Sequence, residues 1–199
     1  MLQTRRSRQE RVKVARNSEN ILKDCPELET YLVGDQQLAV DIYTVNQMSE
    51  SLKKSLLDLL EGNMREFYEN TPSGWDRSEK SVEMFDSNSR HVVLSKDGEP
   101  VAFSHFQFDM DHGVDVIYCY ELQILENWRR KGIGRFIVRM LEHLRSIFHL
   151  TKLILTVFNF NLAAIEFYKE GLGFSVDETS PESQYYIILS RTNAHLSPL

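Results

Sequence analysis

Apolar residues recur at two spacings along this chain, and the spacing predicts where strands and helices lie. Alternating or densely apolar runs with many β-branched and aromatic residues are typical of strands. The predicted strands cover residues 38–45, 91–95, 101–108, 116–124, 153–157 and 184–191. The turn Lys96-Asp97-Gly98-Glu99 joins the second and third strands into a hairpin, because Asp-Gly suits a two-residue turn. We interpret residues 109–114 as a second turn.

Apolar residues at three- and four-residue spacing predict the helices. The predicted helices cover residues 5–23, 48–68, 79–85 and 136–148, with one more in the segment that runs from Asn159 through Tyr168 and ends at Gly171-Leu172-Gly173-Phe174. The first depends on a stripe of Val12, Ala15, Glu19 and Leu22, and it should end before Pro26. Ser78 is the expected N-cap of the short helix over residues 79–85. The elements together predict one mixed α/β domain over residues 31–199, with a sheet of roughly seven strands, after a basic helical extension over residues 1–30.

The segment with most chemical content is Arg129-Arg130-Lys131-Gly132-Ile133-Gly134, between the strand over residues 116–124 and the helix that follows. Backbone N–H groups at a helix start lack helical partners, and the helix dipole is positive there. Such a turn binds phosphate, and the neighbouring cations strengthen the site. The dinucleotide fingerprint and the P-loop both need residues that are missing here. The alternative is a basic helix start whose glycines only permit a tight turn.

Composition and charge narrow the class of protein. The chain has 199 residues, and its 42% of hydrophobic residues indicate a folded globule. No apolar run reaches the roughly 20 residues that a membrane helix needs, and no secretory signal follows the N-terminal cations. Cys25 and Cys119 fit neither a disulfide framework nor a metal site, which favours a reducing compartment, cytosol or nucleus. The six histidines show no spacing typical of metal ligands, so no metal is expected.

Charge is unevenly distributed. Residues 1–20 hold six cations and two anions, a net of +4, so the rest of the chain carries −10 within the formal total of −6. An acidic body favours basic partners and argues against nucleic acid as substrate. The basic arm is a candidate for nuclear import or for contact with RNA or chromatin. The alternative is a solvated helix whose charges confer solubility.

Two ordered motifs resemble the Gcn5-related N-acetyltransferase (GNAT) superfamily. The first is Arg129-x-x-Gly132-x-Gly134, the pattern that binds the acetyl-CoA pyrophosphate in that family. The second follows one helix and one strand later and matches at Asn161, Ala164, Phe167, Tyr168 and Phe174. The resemblance implies the GNAT fold, a central mixed sheet flanked by helices, and acetyl-CoA as co-substrate.

Further segments look like one branch of the superfamily, the N-alpha-acetyltransferase D (NatD) enzymes. They are residues 74–76 (Gly-Trp-Asp), 100–106 (Pro-Val-Ala-Phe-Ser-His-Phe), 118–121 (Tyr-Cys-Tyr-Glu), 155–158 (Leu-Thr-Val-Phe) and 188–191 (Ile-Leu-Ser-Arg). The resemblance implies acetylation of the N-terminal serine of core histones of types two-A and four, whose tails begin Ser-Gly-Arg-Gly. We also expect activity in cytoplasm and nucleus without an auxiliary subunit, with ribosome or chromatin contact through the basic arm.

The superfamily motif assigns the cofactor contacts. Backbone groups of the strand end should bond to the pantetheine arm, the loop should hold the pyrophosphate, and one further residue should lie near the pantetheine. These three sets are Leu122, Gln123 and Ile124; then Arg130, Lys131, Gly132, Ile133, Gly134 and Arg135; and finally Asn161.

Glu121 is the candidate general base, acting through a water. A peptide α-amino group titrates near pH 8 and needs only modest help to lose its proton. Tyr118 and Tyr120 are candidates to orient the amine or relay its proton, although strand alternation puts them on the face opposite Glu121. We expect a bulge near Glu121 to bring the groups together. The alternatives are a surface glutamate at a strand edge and two core tyrosines.

Two more catalytic candidates come with open alternatives. By its match to the superfamily motif, Tyr168 is the expected general acid toward the leaving thiolate, or else a helix tyrosine that packs on the sheet. Cys119 lies in an apolar strand without a histidine partner, which argues against an acyl-cysteine route.

Substrate capture should involve carboxylates, because a histone tail presents an ammonium group and an arginine. Asp109 and Asp111 have the spacing that puts both side chains on one face if the strand continues. Their alternative is a solvated turn. By resemblance to NatD, the remaining peptide contacts are Tyr68, Met110, Tyr120, Thr156 and Tyr186. Two other functions stay open: acetylation of lysine side chains or small amines, and a non-catalytic module that binds acetyl-CoA.

Overall fold

The structure is a computed structural model that describes residues 2–19, 21 and 28–192. Its strands are β1 Thr30–Val33, β2 Gln36–Thr44, β3 Arg90–Lys96, β4 Glu99–Asp111, β5 Val114–Ile124, β6 Lys152–Phe158, β7 Ser175–Val176 and β8 Tyr186–Arg191. Its helices are α1 Leu2–Arg16, α2 Glu50–Glu69, α3 Arg77–Met84, α4 Ile133–Ile147 and α5 Leu162–Leu172. The strands form one sheet in the order β1-β2-β3-β4-β5-β6-β8-β7. The predicted mixed α/β class is confirmed.

Two short strands bring the sheet to eight, one more than the rough prediction. In β1, exposed and half-buried residues alternate, and none is fully buried. It pairs antiparallel with β2 across a turn in which Gly34 has a φ of 59°. The strand β7 has only two residues, both exposed. Neither segment has the buried apolar run by which the other strands are predicted.

The hairpin of β3 and β4 is confirmed, but β4 is longer than predicted. Its turn has positive φ at Asp97 and Gly98, 51° and 87°, as a two-residue hairpin turn requires. The turn predicted over residues 109–114 is present but shorter than predicted, since β4 runs to Asp111 and β5 starts at Val114. His112 and Gly113 have φ values of 44° and 82°, so this turn is also only two residues long.

The end of α1 and the N-cap of α3 also differ from the prediction. The N-terminal helix ends at Arg16 and does not reach residue 23, although the burial of Val12 and Ala15 confirms its apolar stripe. Leu22 and Pro26, on which its predicted end depended, lie outside the described residues. The N-cap of α3 is Asp76 and not Ser78, because the Asp76 carboxylate accepts from the N–H groups of Ser78 and Glu79.

The chain divides into two compact units, each with buried apolar residues. The first comprises Met1–Asn17, Gln107–Tyr120 and Val138–Leu199, and the second comprises Ser18–Phe106 and Glu121–Ile137. The buried residues of the first unit include Phe108, Ile117, Leu141, Ile154 and Leu189, and those of the second include Leu56, Leu60, Met84, Val93 and Phe103. The domain boundary predicted at residue 30 stays a prediction.

Within the first unit, charged residues attach α1 to the β4–β5 hairpin. The carboxylate of Asp115 is fully buried and lies 2.8 Å from Nε of Arg11 and 3.5 Å from Nε of Arg8. Arg8 also donates to the carbonyl of Gly113 at 3.0 Å, and the Thr151 hydroxyl donates to Asp115 at 2.6 Å. Buried carboxylates are costly unless they are paired in this way. The N-terminal helix is therefore a structural part of this unit.

The one parallel pair that is described, β5 with β6, is the central feature of the sheet. The two strands pair from Val116 and Lys152 to Cys119 and Leu155, and each runs on past that point, to Ile124 and Phe158. Of the candidate residues of β5, Tyr118 lies within this paired part, and Tyr120 and Glu121 follow it. None of the described helices has both the length and the apolar character to cross a bilayer.

Candidate active site

The loop before α4 has the geometry of an anion site. Arg130 and Gly132 have positive φ values of 60° and 84°, which turn the backbone sharply before the helix starts at Ile133. The Gly132 carbonyl accepts the first helical bond, from N–H of Phe136 at 3.0 Å. The N–H groups of Ile133, Gly134 and the next residue therefore have no helical acceptor and point out of the helix start. A phosphate placed there meets N–H donors and the positive end of the dipole.

Glycine is favoured at position 132 for two reasons. A positive φ strains any other side chain, and a Cβ at this position would lie 2.5 Å from the hydroxyl of Tyr31. Tyr31 donates to the Lys131 carbonyl at 3.2 Å and packs on Phe136 with ring centroids 4.4 Å apart. Tyr31 thus holds the loop in place. The sequence had given no signal for it, because β1 was not predicted.

The predicted cations of the loop are exposed. Arg130, Lys131 and Arg135 all present exposed side chains, and Lys131 lies over the Trp128 ring at 4.8 Å from its centroid. Backbone N–H donors, a sharp turn that favours glycine at position 132 and three exposed cations suit a diphosphate. The residues present therefore fit the coenzyme A diphosphate.

Arg129 has a different environment from its cationic neighbours. Its Nε donates to the carbonyl of Ile124 at 3.1 Å, and its guanidinium donates to Oδ1 of Asn63 at 2.6 Å. Asn63 also donates to the Ile124 carbonyl, at 3.1 Å. The end of β5 is thus attached to α2 and to the loop. The pantetheine contacts predicted for Leu122, Gln123 and Ile124 stay predictions.

Glu121 is buried, with 6% of its side chain exposed, and not at a solvent-facing strand edge. Gln123 donates to its Oε2 at 2.9 Å, while Lys80 and the Tyr68 hydroxyl lie 3.3 Å and 3.4 Å from its Oε1. Lys80 also pairs with Glu83 at 2.9 Å. Both carboxylate oxygens of the candidate base therefore have fixed partners.

The same environment changes proton affinities. Burial raises the pKa of the Glu121 carboxyl, and the Lys80 ammonium opposes that rise. Burial acts to lower the pKa of Lys80, but Glu121, Tyr68 and Glu83 outweigh it, so the net direction is upward. The pKa of Tyr68 is raised, first by burial and then by the Glu121 charge. Lys80 therefore stays protonated, and Glu121 is a stronger proton acceptor than an ordinary carboxylate.

Tyr118 and Tyr120 form a separate aromatic and polar cluster in the first unit. Their rings stack with centroids 4.6 Å apart, and the Tyr118 hydroxyl lies 2.7 Å from Oγ1 of Thr156. Burial raises the pKa of Tyr118; Thr156 opposes the rise, while Asp111 and Tyr186 add to it electrostatically. The structure thus brings together predicted catalytic and peptide-binding residues.

Exposure alternates without a break from Tyr118 to Ile124, with Glu121 among the buried positions. The expected bulge near Glu121 does not interrupt this alternation. Tyr118 and Tyr120 are half-buried on one face of β5, and Glu121 is on the other.

The two carboxylates of the predicted acidic pair, Asp109 and Asp111, have different environments in the structure. Because β4 continues to Asp111, the two carboxylates have strand spacing, as expected. Asp109, however, lies 2.7 Å from the Arg16 guanidinium of α1 and also accepts from its neighbour's N–H, that of Met110. Asp111 lies in the electrostatic environment of Tyr118. Asp111 is therefore the better candidate for contact with a basic peptide.

Asn161, the N-cap of α5, and Tyr168 within α5 both have structural roles. These roles are compatible with the predicted functional roles and with a purely structural interpretation. Asn161 is the N-cap, and its side chain accepts from N–H of Ala164 at 3.2 Å. Tyr168 is buried and packs edge-to-face on Phe167 and Phe174, with centroids 4.9 Å and 5.5 Å away. The general-acid role of Tyr168 and the pantetheine contact of Asn161 stay predictions.

Sequence reasoning missed Asn63 and Lys80, and it assigned no site role to Trp75, which it used only as part of a matching segment. Lys80 and Asn63 bond to predicted site residues, and Trp75 packs edge-to-face on Tyr68 with centroids 5.4 Å apart. A polar residue in an amphipathic helix has the same pattern whether it faces solvent or a buried carboxylate. Among the residues that the structure describes, no group of three or more histidine, cysteine, aspartate or glutamate side chains could hold a metal ion.

Comparison with known proteins agrees with this geometry. Residues 56–174 match the family model described as the acetyltransferase (GNAT) family. Among solved structures, the chain is similar to the PaiA N-acetyltransferase of Thermoplasma acidophilum in complex with coenzyme A, at 14% identity and a TM-score of 0.59 over 78% of this chain and 99% of that one. It is also similar to Arabidopsis thaliana Naa50 in complex with the bisubstrate analogue CoA-Ac-MVNAL, at 15% identity and a TM-score of 0.55 over 77% and 99%.

A third similar structure is the ribosomal-protein-S18-alanine N-acetyltransferase of Escherichia coli, at 18% identity and a TM-score of 0.52 over 79% of this chain and 99% of that one. At these identities the likeness concerns the fold. The predicted GNAT fold is confirmed.

Proposed function

The chain belongs to the GNAT family of acetyltransferases, which use acetyl-CoA, and on that premise we propose that it acetylates the α-amino group of protein N-termini. The substrate that we propose is a core histone tail of type two-A or four, beginning Ser-Gly-Arg-Gly. Acetyl-CoA supplies the activated acetyl group. The loop before α4 holds its diphosphate, and Glu121 accepts the proton of the substrate ammonium through a water.

The observation that carries the proposal is the buried carboxylate of Glu121. Burial raises its pKa toward that of the group it must deprotonate, and such matching favours proton transfer. An α-amino group titrates near 8, whereas a lysine side chain titrates near 10.4. A carboxylate base of this kind suits the α-amino group better.

Four further features support a histone tail as substrate. The segments that resemble NatD enzymes lie in β4, β5, β6 and β8 and before α3. Asp111, beside Tyr118, offers a negative charge to a basic tail. One similar structure is named as a ribosomal-protein-S18-alanine N-acetyltransferase, and another, Naa50, is named in complex with the bisubstrate analogue CoA-Ac-MVNAL. The acidic body of the chain attracts a basic tail electrostatically.

The proposed sites of action are cytoplasm and nucleus, without an auxiliary subunit. The basic arm is the proposed contact to ribosome or chromatin. Arg8, Arg11 and Arg16 bond to Asp115 and Asp109 within the protein. Such a contact would therefore depend mainly on the other cations of the arm.

Intact-mass measurement tests the proposal. The full chain is incubated with acetyl-CoA and either a lysine-containing peptide that begins Ser-Gly-Arg-Gly or the same peptide with a blocked N-terminus. We expect one acetyl group on the free peptide, none on the blocked one, and a strong loss of turnover in Glu121→Gln. Acetylation of the blocked peptide would identify a lysine acetyltransferase. Coenzyme A binding without turnover on any amine would indicate a non-catalytic module.

A further inference from the structure

A row of polar side chains links Arg129 to the candidate base Glu121. Arg129 is the first residue of the loop before α4, residues 129–134, which we call the phosphate loop. The Arg129 guanidinium donates to Oδ1 of Asn63 at 2.6 Å. Nδ2 of Asn63 donates to Oε1 of Gln123 at 3.0 Å, and Nε2 of Gln123 donates to Oε2 of Glu121 at 2.9 Å. Arg129 is exposed, Asn63 is half-buried, and Gln123 and Glu121 are buried. The row therefore runs from the surface into the interior of the second unit.

The chemistry of the two ends sets the direction of every hydrogen bond between them. A guanidinium can only donate, and an ionised carboxylate can only accept. The amides of Asn63 and Gln123 must therefore both turn their oxygens toward Arg129 and their NH₂ groups toward Glu121. Each amide then presents the positive end of its dipole to the carboxylate. This alignment favours the ionised form of Glu121 and opposes the cost of its burial.

An ammonium group and a hydroxyl group from two helices hold the other carboxylate oxygen. Lys80 of α3 and the hydroxyl of Tyr68 of α2 lie 3.3 Å and 3.4 Å from Oε1 of Glu121. Glu83 pairs with Lys80 and partly offsets its charge, and His105 of β4 interacts electrostatically with Lys80. The Lys80 end fixes Oε1, so the orientation of Oε2 depends on the row of amides.

We propose that Asn63 and Gln123 are positioning residues that make the orientation of Glu121 depend on Arg129, and so on the state of the phosphate loop. Arg129 is well placed for this because its Nε also holds the Ile124 carbonyl, at 3.1 Å. A change in the loop thus reaches the carboxylate through two amide groups. The inference rests on the role of Glu121 in the proposed function.

Two substitutions at Asn63 test the coupling. Asn63→Asp keeps the shape but cannot donate, so the Gln123 amide must turn and place its oxygen against Glu121. Asn63→Leu breaks the row without adding charge. We expect both to lower kcat by about tenfold, as loss of a hydrogen bond to a charged group does. The acid limb of the pH profile of kcat/KM should move upward, while the Kd for coenzyme A, measured by calorimetry, stays within about twofold.

The matched control is Asn70→Asp. Asn70 ends the same helix, α2, and its Nδ2 donates to the Glu66 carbonyl at 2.7 Å, away from the row. The same chemical change there should leave kcat and the acid limb as in the wild type. Thermal unfolding of every variant shows whether it is folded, and if Asn63→Leu does not fold, Asn63→Asp decides.

Three outcomes separate this coupling from the proposed function. If Asn63→Asp behaves as Asn70→Asp while Glu121→Gln is inactive, the coupling is overturned and the base assignment stands. A loss confined to coenzyme A affinity would also overturn it, because the row would then serve only the loop. Full turnover of Glu121→Gln would refute the base assignment itself. In the Glu121→Gln background, Asn63→Asp should cause no further loss, because a neutral amide can accept or donate.

Discussion

Replacement of Lys80 by methionine should weaken the fold and change the pH dependence of the reaction. The Lys80 ammonium lies 3.3 Å from Glu121, and the two side chains are 11% and 6% exposed. At an effective dielectric constant of about 20, unit charges at that distance attract each other by about 5 kcal/mol. Part of this is offset, because methionine removes the cost of burying the lysine charge. We expect a net loss of about 3 kcal/mol in the free energy of unfolding at neutral pH.

The loss should depend on pH in a direction that Glu121 determines. Burial raises the pKa of Glu121, and the absence of Lys80 raises it further. A carboxyl group whose pKa is higher in the folded than in the unfolded state destabilises the fold. Its full cost applies above the folded-state pKa, where the group is ionised in both the folded and the unfolded state. Below its ordinary value of 4.5 it is protonated in both states and the cost disappears. The gap in stability between wild type and Lys80→Met should therefore shrink as the pH falls from neutral toward 4.5.

Urea denaturation at neutral pH and at about pH 5 measures this gap. The control is Lys54→Met, because Lys54 pairs with Asp58 at the surface, where the side chains are 73% and 45% exposed and such pairs contribute little. In parallel, the acid limb of the kcat/KM profile should move upward in Lys80→Met. The reasoning is refuted if the gap is equal at both pH values, or if the acid limb does not move.

Three further predictions concern other parts of the chain. Gly132→Ala should weaken coenzyme A binding about fivefold in calorimetry, ~1 kcal/mol, because of backbone strain and the contact with Tyr31. Adding Tyr31→Phe should recover part of the lost affinity, and no recovery would exclude that contact as a cause. Burial lowers the pKa of His91 to about 3, below its ordinary 6.5. Between these two pH values the folded state binds fewer protons than the unfolded state, so the free energy of unfolding decreases as the pH is lowered. The decrease is about 2 kcal/mol between neutral pH and pH 5. His91→Phe should lose less stability over that interval in urea denaturation, and an unchanged loss would contradict the assignment. Asp111→Asn should weaken peptide binding more at low than at high ionic strength. Asp109→Asn breaks the ion pair with Arg16 and should mainly lower the stability of the fold. If peptide binding by the two variants had the same salt dependence, these different roles would be contradicted.

The turn between β5 and α4 was predictable because its signals are local. A strand rich in β-branched residues, two glycines and an amphipathic helix follow each other within residues 116–148, and each is recognised from its own neighbours. The β3–β4 hairpin was predictable for the same reason, since Asp97-Gly98 supplies the turn. The strand β1 was not, because it lies at the edge of the sheet and has no fully buried residue.

Partners that are distant along the chain explain the remaining differences. Asp109 and Asp111 have the same local pattern, but only Asp109 meets Arg16, 93 residues earlier. Lys80 reads as a charged residue of a short helix, yet it is buried against Glu121, 41 residues later. Periodicity describes which face of an element is apolar, and it contains no information on which polar groups meet across the fold.

The buried carboxylate of Asp115 also has a practical consequence for work with this protein. A protease cut, or an expression boundary placed after the first helix, would remove both guanidinium partners and leave an uncompensated charge inside β5. Shortening the amino end would then resemble a mutation in the hydrophobic core, and poor yield of such a fragment would reflect its folding and not its catalysis.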